Sequence, residues 1–229
     1  MKKITLSILI SIVLFSCGYI ETKKESLTRP AFEEQETLYL NRFPIDIIPT
    51  FFVWNAKYSE FLDAEDAKEG TLFKAVKNPN IEKNIYTITD VKNKVDYKVM
   101  ENIDLSNDFL YEITSNTKRI GYIKQIDKDD ILNYIFVTND NSDDKFYRIE
   151  GKSRATKTTG INPDIVHSFN FEIKDEERVY CNIFKEYYIF KNEYEIIANK
   201  SQNKLENPIF VCISLFIDQI LRENGYEYR

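Results

Sequence analysis

The chain has 229 residues and a formal net charge of −6 at pH 7, with 37 acidic against 31 basic side chains. An acidic surface argues against nucleic acid as a partner and against general adsorption to anionic lipid. The length suffices for one sizeable β domain, while three cysteines and one histidine are too few for a disulfide framework or a zinc cluster.

The N-terminus reads MKKITLSILISIVLFSC, which has the arrangement of a secretory signal peptide. Lys2 and Lys3 form a short basic region, and an apolar run follows at residues 4–15. This run is too short to span a bilayer, which takes roughly 20 residues. We therefore expect an exported chain, with residues 1–16 removed as the signal peptide.

The end of this segment, Leu14-Phe15-Ser16-Cys17, resembles a bacterial lipobox, whose cysteine sulfur is alkylated by a diacylglycerol before cleavage. Phe15 departs from the commonest pattern and is similar to the looser lipoboxes of spirochaetes and related diderms. The resemblance implies a mature chain that begins at an acylated (palmitate-bearing) Cys17 and is anchored to a membrane. The alternative is an uncleaved N-terminal anchor with a chance cysteine.

Cleavage before Cys17 would remove Lys2 and Lys3, so the formal charge would change from −6 to −8. Gly18, not Asp, follows the cysteine. By resemblance to lipoprotein sorting in enteric bacteria, this favours the outer membrane of the cell envelope over the inner membrane.

The segment after Cys17 is polar and carries no periodicity, which is typical of a flexible tether. We expect the lipidated cysteine and tether to occupy residues 17–44 and a single β-rich domain to occupy residues 45–229. Residues 58–69 contain good helix formers and stop before Gly70, which predicts a short helix.

From about residue 71 onward, short runs of alternating apolar residues recur between clusters of Asn, Asp, Lys and Ser. They are rich in Ile, Val, Tyr, Phe and Thr, which favours strands of an antiparallel meander. With one run before them, the predicted strands are residues 50–54, 71–76, 85–89, 95–100, 109–114, 119–126, 132–138, 145–151, 165–174, 178–184, 186–191 and 194–200.

The last predicted element is a helix over residues 208–224, opened by Pro208 and ended before Gly225. It is apolar almost all the way round, which indicates burial on every side. Its length and Asp218 argue against a membrane span. We therefore predict a mainly β fold, an antiparallel barrel of about twelve strands around this buried helix. The alternative is a β-sandwich with the helix packed on it.

This combination resembles the tubby, LURP-one-related and phospholipid scramblase superfamily over residues 71–225. The C-terminal segment Asn207-Pro208 to Leu221 is similar to the closing helix of that superfamily. Tyr111-Glu112-Ile113, a polar turn and Ile120-Gly121-Tyr122-Ile123 are similar to its recurrent hairpin, with an echo 77 residues later at Tyr188, Phe190, Ile197 and Ala198. The resemblance implies a scaffold that binds membrane lipid, an apolar ligand or another protein. The basic lipid-binding residues of that superfamily have no clear equivalent here.

The only basic cluster interleaved with hydroxyl side chains is residues 152–160, KSRATKTTG. Lys152, Arg154 and Lys157 are therefore the candidate binding residues, and charge-assisted hydrogen bonds would let them hold the phosphate of a lipid headgroup. The alternative is a solvated loop between two strands.

No catalytic or metal-binding constellation stands out, and the sequence predicts no catalytic residue, no metal and no cofactor. His167 is the only histidine and is expected to be structural. Residues 140–144 have alternating oxygen ligands but lack the glycine and glutamate of a calcium loop, and they are predicted to be a polar turn, as are residues 127–130.

Three further side chains are expected to lie in the core. Cys181 and Cys212 sit among apolar residues and are predicted to be two buried thiols, although an exported protein permits a disulfide between them. Trp54 follows two phenylalanines and is predicted to pack in the core, the alternative being an exposed aromatic contact.

These observations predict a lipid-anchored protein whose β domain is not an enzyme and has a binding or structural role, with a lipid or a protein as ligand. One alternative is a surface-exposed adhesin. The other is a hydrolase whose pocket is assembled from dispersed carboxylates and tyrosines.

Overall fold

A computed structural model describes residues 32–43, 51–55, 71–78, 83–104, 109–127, 129–138, 145–157, 165–188, 191–202 and 205–226. These residues form twelve strands, a single turn of 3-10 helix at Lys200–Gln202 and one α-helix, α1 (Asn207–Glu223). The strands are β1 (Gln35–Phe43), β2 (Phe51–Asn55), β3 (Thr71–Asn78), β4 (Ile85–Asp90), β5 (Val95–Glu101), β6 (Tyr111–Ser115), β7 (Lys118–Gln125), β8 (Asn133–Thr138), β9 (Lys145–Lys157), β10 (Ile165–Lys174), β11 (Val179–Tyr188) and β12 (Lys191–Asn199).

The strands form one antiparallel sheet that closes on itself. Each strand from β2 to β11 pairs with the strands before and after it in the chain. The ring is completed by β1, which pairs with β2 from Phe43↔Phe51 and with β12 from Gln35↔Asn199. The prediction of a mainly β fold with an antiparallel barrel of about twelve strands is confirmed.

Alternation along the strands separates the interior of the barrel from its outer face. In β4, Tyr86, Ile88 and Asp90 are buried, while the residues between them are only partly buried. The period of two follows from the pleat, which turns successive side chains to opposite faces of the sheet. The aromatic and branched residues that marked these strands in the sequence therefore form the core.

Two glycines allow the interior to pack tightly. A Cβ atom on Gly121 would lie 2.3 Å from the carbonyl oxygen of Val137 and 2.6 Å from the ring of Phe136. At Gly151, the corresponding distance to the ring of Phe171 is 2.6 Å. Any side chain at these positions would push against a neighbouring strand, so both positions need a residue without a Cβ.

The ends of α1 are set by local sequence. Pro208 lies in the first turn, where its missing N–H costs no helical hydrogen bond. At the other end, Gly225 adopts a positive φ of 78°, and the N–H groups of Gly225 and Tyr226 donate to the carbonyls of Arg222 and Leu221. This is a Schellman arrangement, which ends the helix where the sequence predicted.

The helix occupies the interior of the barrel, because strands on different sides of the ring contact it. The ring of Phe216 packs edge-on against Tyr111 of β6 and Tyr134 of β8, at centroid distances of 5.2 Å and 4.8 Å. Tyr86 of β4 also hydrogen bonds to a helix side chain, as does Tyr194 of β12, which lies across the ring from β6. The prediction of a buried C-terminal helix is confirmed. Among the described residues, no helix is long and apolar enough to cross a membrane.

The structure corrects three predicted boundaries. Residues 35–43, assigned to the tether of residues 17–44, form β1, because closing the barrel needs a strand between β12 and β2. Residues 178–184 and 186–191 were predicted as two strands, but β11 runs unbroken through most of them. Strand β9 continues six residues past its predicted end. The predicted helix at residues 58–69 lies outside the described residues.

The turn between β6 and β7 supplies a test of backbone strain. Asn116 and Thr117 both have positive φ, 46° and 73°. A β-branched residue is unfavourable there, whereas glycine adopts this conformation freely. We expect Thr117→Gly to raise the free energy of unfolding by about 1 kcal/mol. Thr87→Gly, in the extended strand β4, should lower it by about the same amount. Chemical denaturation measures both, and a destabilised Thr117→Gly would contradict the assigned turn.

Phe216 tests the packing of the helix inside the barrel. Phe216→Ala removes a fully buried ring and both of its edge-on contacts, so we expect a loss of about 3–5 kcal/mol of stability. Phe146→Ala is the matched control, because the Phe146 side chain is 60% exposed on the outer face and its loss should cost about 0.5 kcal/mol or less. Equal melting temperatures for the two variants would mean that α1 does not fill the barrel.

Candidate functional site

Charged and polar side chains gather where α1 ends inside the barrel. We call this end of the barrel the C-terminal mouth. Strands β3 and β5 end there, at Asn78 and Glu101, and β4 and β6 begin there. The last two turns of α1 carry the polar residues that face them, so the mouth is the place where the apolar interior meets charged groups.

Asp218 is the centre of this polar group. Its carboxylate is fully buried, and its two oxygens accept from the Tyr194 hydroxyl at 2.9 Å and from the guanidinium of Arg222 one helical turn later. The Arg222 guanidinium also lies over the ring of Phe52, 5.7 Å from its centroid. A buried carboxylate is tolerated only when its charge is compensated, and Arg222 supplies that compensation.

Gln219 extends the network towards the opening. Its Oε1 accepts from the hydroxyl of Tyr86 and from Nζ of Lys77, the latter at 3.4 Å. Its Nε2 donates to the carboxylate of Glu223 at 2.7 Å. Asn84 donates through Nδ2 to Glu101 at 2.7 Å, and to Glu223 at 3.4 Å. The side chains of α1 are thus tied to β3, β4 and β5.

The environment of the mouth changes proton affinities. Burial, together with the Arg222 guanidinium, lowers the pKa of Lys77, and the carboxylates of Glu223 and Asp218 partly oppose this shift. Burial also raises the pKa of the Tyr111 and Tyr134 phenols. Both phenols therefore stay protonated at neutral pH and act only as neutral groups.

Lys185 brings a further cation into the interior. It lies on β11 opposite Tyr194, is 1% exposed, and its ammonium stands 5.3 Å from the centroid of the Tyr194 ring. Tyr194 is thereby placed between Lys185 and Asp218. At the mouth Arg222 pairs with Asp218, and the Lys185 ammonium contacts the Tyr194 ring, so Asp218 is engaged by two donors.

Sequence reasoning missed these residues, although one signal was available. Asp218 interrupts an apolar helix and has Arg222 at i+4, a spacing that brings two side chains together on a helix. No comparable signal marked Lys77, because its partner Gln219 is 142 positions away in the sequence. Lys185 was missed because its contact with Tyr194 depends on the pairing of β11 with β12. The distance in sequence between Tyr86 and Gln219 is 133 residues.

The predicted binding residues lie on a strand, which corrects the prediction of a loop at residues 152–160. Lys152, Arg154 and Lys157 all belong to β9, because residues 152–157 pair with β10. Nζ of Lys152 is 3.1 Å from Oε1 of Glu172 on β10, and this lysine remains 61% exposed. Arg154 stands opposite Ser168. The side chain of Lys157 and residues 158–164 lie outside what the structure describes.

Trp54 was predicted to pack in the core, and His167 was predicted to have a structural role. Trp54 is fully buried and stacks on Phe52 with a centroid distance of 6.2 Å, which confirms the prediction of core packing. His167 of β10 is half-buried, 6.2 Å from the Phe169 ring and 5.1 Å from the Tyr226 ring. His167 therefore packs against Tyr226, which lies three residues after the end of α1, as a structural role predicts.

Both predicted core cysteines are free and buried, so the alternative of a Cys181–Cys212 disulfide is wrong. Burial raises the pKa of each thiol, which keeps both protonated and unreactive. They act as small apolar side chains. Cys17, the predicted lipidation site, lies outside the described residues.

No group of three His, Cys, Asp or Glu side chains that would hold a metal ion occurs in the part of the chain that the structure describes. Asp127 and Asp130 use their carboxylates to accept backbone N–H groups of Asp129 and Leu132, as in a polar turn. Hydrogen bonds from Asn133 and from the Leu132 N–H lower the pKa of Asp130. Residues 140–144 lie outside the described residues.

Comparison of the chain with protein families, curated proteins and solved structures found no match.

Asp218 provides the test of the buried network. Asp218→Asn keeps the shape of the side chain but removes the carboxylate charge that faces the Arg222 guanidinium, which is 15% exposed. We expect a loss of about 3 kcal/mol of stability. Glu177→Gln makes the same chemical change in a carboxylate that is 74% exposed, and it should cost about 0.5 kcal/mol or less. Urea denaturation of both variants measures the difference; an Asp218→Asn variant as stable as the control would refute the network.

Proposed function

We propose that the chain is a membrane-anchored lipoprotein whose barrel has a binding or structural role and carries out no catalysis. In this proposal residues 1–16 are the signal peptide and Cys17 carries the lipid. The observation on which the proposal rests is the position of α1: the helix fills the interior of the barrel. Barrels that carry a small ligand usually keep that space open for it.

The interior supports this proposal through its packing. The consecutive residues Val211, Cys212 and Ile213 project to different sides of α1 and are all fully buried. Aromatic rings from β6 and β8 press against the helix. A ligand would have to displace the helix to enter, at the cost of the whole core. We therefore assign binding to the outer surface of the domain.

The hydrogen bonding of the polar groups at the C-terminal mouth also supports a role without catalysis. An acid–base catalyst needs a side chain that is free to exchange a proton with a substrate. Asp218 instead has both oxygens engaged by Tyr194 and Arg222, and Gln219 joins Tyr86 to Glu223. This arrangement favours a role in positioning the helix over a role in hydrolysis.

The spacing between the proposed anchor and the barrel fits a tethered binding domain. Seventeen residues lie between Cys17 and the first residue of β1, Gln35. A fully extended chain of that length spans at most about 60 Å. The domain would therefore reach partners at some distance from the membrane surface, inside the cell envelope or on the cell surface.

The resemblance to the tubby, LURP-one-related and phospholipid scramblase superfamily stays a prediction. The twelve-stranded barrel around a C-terminal helix agrees with the architecture that the resemblance implies. Lys152 belongs to a strand and forms an ion pair with Glu172, which reduces its availability to a lipid phosphate. A protein partner is accordingly favoured over a lipid ligand.

The anchor is tested by replacing its sulfur. Cys17→Ala removes the atom to which the diacylglycerol would be attached, so the variant should move from the detergent phase to the aqueous phase in a Triton X-114 separation. Cys181→Ala is the matched control: it also removes one thiol but keeps the lipobox, and it should stay in the detergent phase. If Cys17→Ala stays in the detergent phase as well, an uncleaved N-terminal anchor replaces the lipoprotein proposal.

A further inference from the structure

Part of the outer face of the barrel is buried. In β10, β11 and β12, the side chains that lie between core residues point outward, because successive side chains of a strand alternate between the two faces of the sheet. Four of these outward side chains are nevertheless only 1–4% exposed: Asn170, Asn182, Phe184 and Ile197. Phe184 and Ile197 also lie outside the hydrophobic core cluster that fills the barrel. A segment of chain must therefore cover this face from outside.

The four side chains form one patch. Asn170 stands opposite Phe184 in the pairing of β10 with β11, and Asn182 stands opposite Ile197 in the pairing of β11 with β12. Asn182 and Phe184 are two residues apart on β11, so they are neighbours on the same face. We call these four residues the covered patch. The described elements are the strands of the ring, α1 in its interior and a 3-10 turn that contacts β1, so the cover belongs to a part of the chain outside the described residues.

The polar atoms of the covered patch restrict the conformation of the segment that covers it. Both polar atoms of the Asn182 amide and Oδ1 of Asn170 are buried without a hydrogen-bond partner among the described residues. An unpaired buried group of this kind costs roughly 1–3 kcal/mol. An extended segment has free backbone N–H and C=O groups that would pair with these atoms, whereas a helix uses its own groups internally. The patch therefore favours an extended segment.

Length narrows the choice of segment. Internal segments of seven residues or fewer outside the described part, such as residues 44–50 and 158–164, are held at both ends by strands. They extend at most about 13 Å from those ends. Crossing the three strands of the covered patch takes about 10 Å, in addition to the distance from the strand ends to the patch. These segments are therefore too short to cover it.

Residues 56–70 are the longest internal alternative. They leave β2 at Asn55 and return at Thr71, which pairs with Asn55, so only half of their length is available to reach outward. Residues 58–69 are also predicted to be a helix, whose backbone groups would be used internally. This segment therefore offers the amides of the covered patch few free partners.

The N-terminal segment enters beside the patch. Strand β1 begins at Gln35, which pairs with Asn199, two residues after Ile197. Residues 18–31 show no helical periodicity, so no helix is predicted to use their backbone groups. Crossing from β1 over β12 and β11 to β10 takes about 15 Å, or about five extended residues. Residues 27–31 supply this length.

We propose that residues 27–31 fold back over the covered patch as an extended strap. In the strap, Leu27 packs against the apolar side chains, and the backbone hydrogen bonds to Asn170 and Asn182. The strap goes beyond the proposed function, and only its effect on the anchoring distance rests on that function. If Cys17 carries the lipid, the strap leaves residues 18–26 between the anchor and the barrel, which extend about 30 Å at most. The barrel would then be held at about half the distance from the membrane that a free tether allows.

The test measures access to the covered patch in the full chain purified in detergent. Ile197→Cys places a thiol in the patch, and Glu177→Cys places one at a side chain that is 74% exposed. A maleimide should react about tenfold more slowly, or less, with the thiol at position 197 than with the thiol at position 177. Mass spectrometry of the peptides assigns each label. Because Cys181 and Cys212 are buried, neither should be labelled.

Variants of the N-terminal segment identify the cover. Leu27→Asp places a charge against the apolar patch, so it should release the strap and raise the labelling rate of Ile197→Cys about tenfold, with little change in melting temperature. Ile20→Asp is the matched control, because it makes the same kind of change outside the strap and should leave the rate unchanged. Replacement of residues 56–70 by glycine and serine at equal length should also leave it unchanged.

Three outcomes would overturn the proposal. Labelling of Ile197→Cys as fast as that of Glu177→Cys would mean that no segment covers the patch. Equal labelling in the Leu27→Asp and Ile20→Asp backgrounds would mean that the strap is not the cover. Protection lost only on replacement of residues 56–70 would assign the patch to that segment. Detergent partitioning reports on the lipid anchor separately, so the strap and the proposed function fail independently.

Discussion

The fold depends on burial of the apolar surface of α1. A helix with buried side chains on every face needs apolar contacts all around it, and only a closed sheet of this circumference provides them. The reverse also holds, because a twelve-stranded barrel leaves an interior that its own strands fill only in part. Phe216 shows both requirements met at one point, with Tyr111 and Tyr134 packed edge-on against its ring. The hydrophobic effect thus stabilises the helix and the closed sheet together.

Burial alone does not fix how far the helix enters the barrel, since an apolar cylinder can slide. The polar residues at the C-terminal mouth restrict that movement. Asp218 must reach Tyr194 on β12, and Gln219 must reach Tyr86 on β4, to keep these buried hydrogen bonds. Hydrogen bonding is directional, so a shift of the helix by one turn would break both contacts. The network therefore specifies the position of a helix whose stability comes from apolar contacts.

Much of this fold was predictable because the spacing of apolar residues in the sequence reflects which side chains are buried. The period of two marked most strands, and Pro208 and Gly225 marked the ends of α1. The correct number of strands, however, came from two errors that cancelled. The sequence of β1 follows a charged segment without a break and looked like part of the tether. The predicted strands of residues 178–184 and 186–191 left out Lys185, which is buried, and so divided β11 in two. Both errors concern residues whose environment is created by distant strands, which no local pattern records.

The residues of the candidate sites were likewise predictable only where a local sequence pattern marked them. The basic residues of β9 were identifiable by composition, but their strand conformation depends on pairing with β10. The mouth network joins residues more than a hundred positions apart and had no signal beyond Asp218 and its i+4 partner. Closure of the barrel is equally non-local, since Gln35 pairs with Asn199, and β12 leads almost directly into α1. The strand with which β1 pairs to close the ring is therefore also the strand that leads into the helix, so the closure of the barrel and the position of the helix inside it are structurally linked.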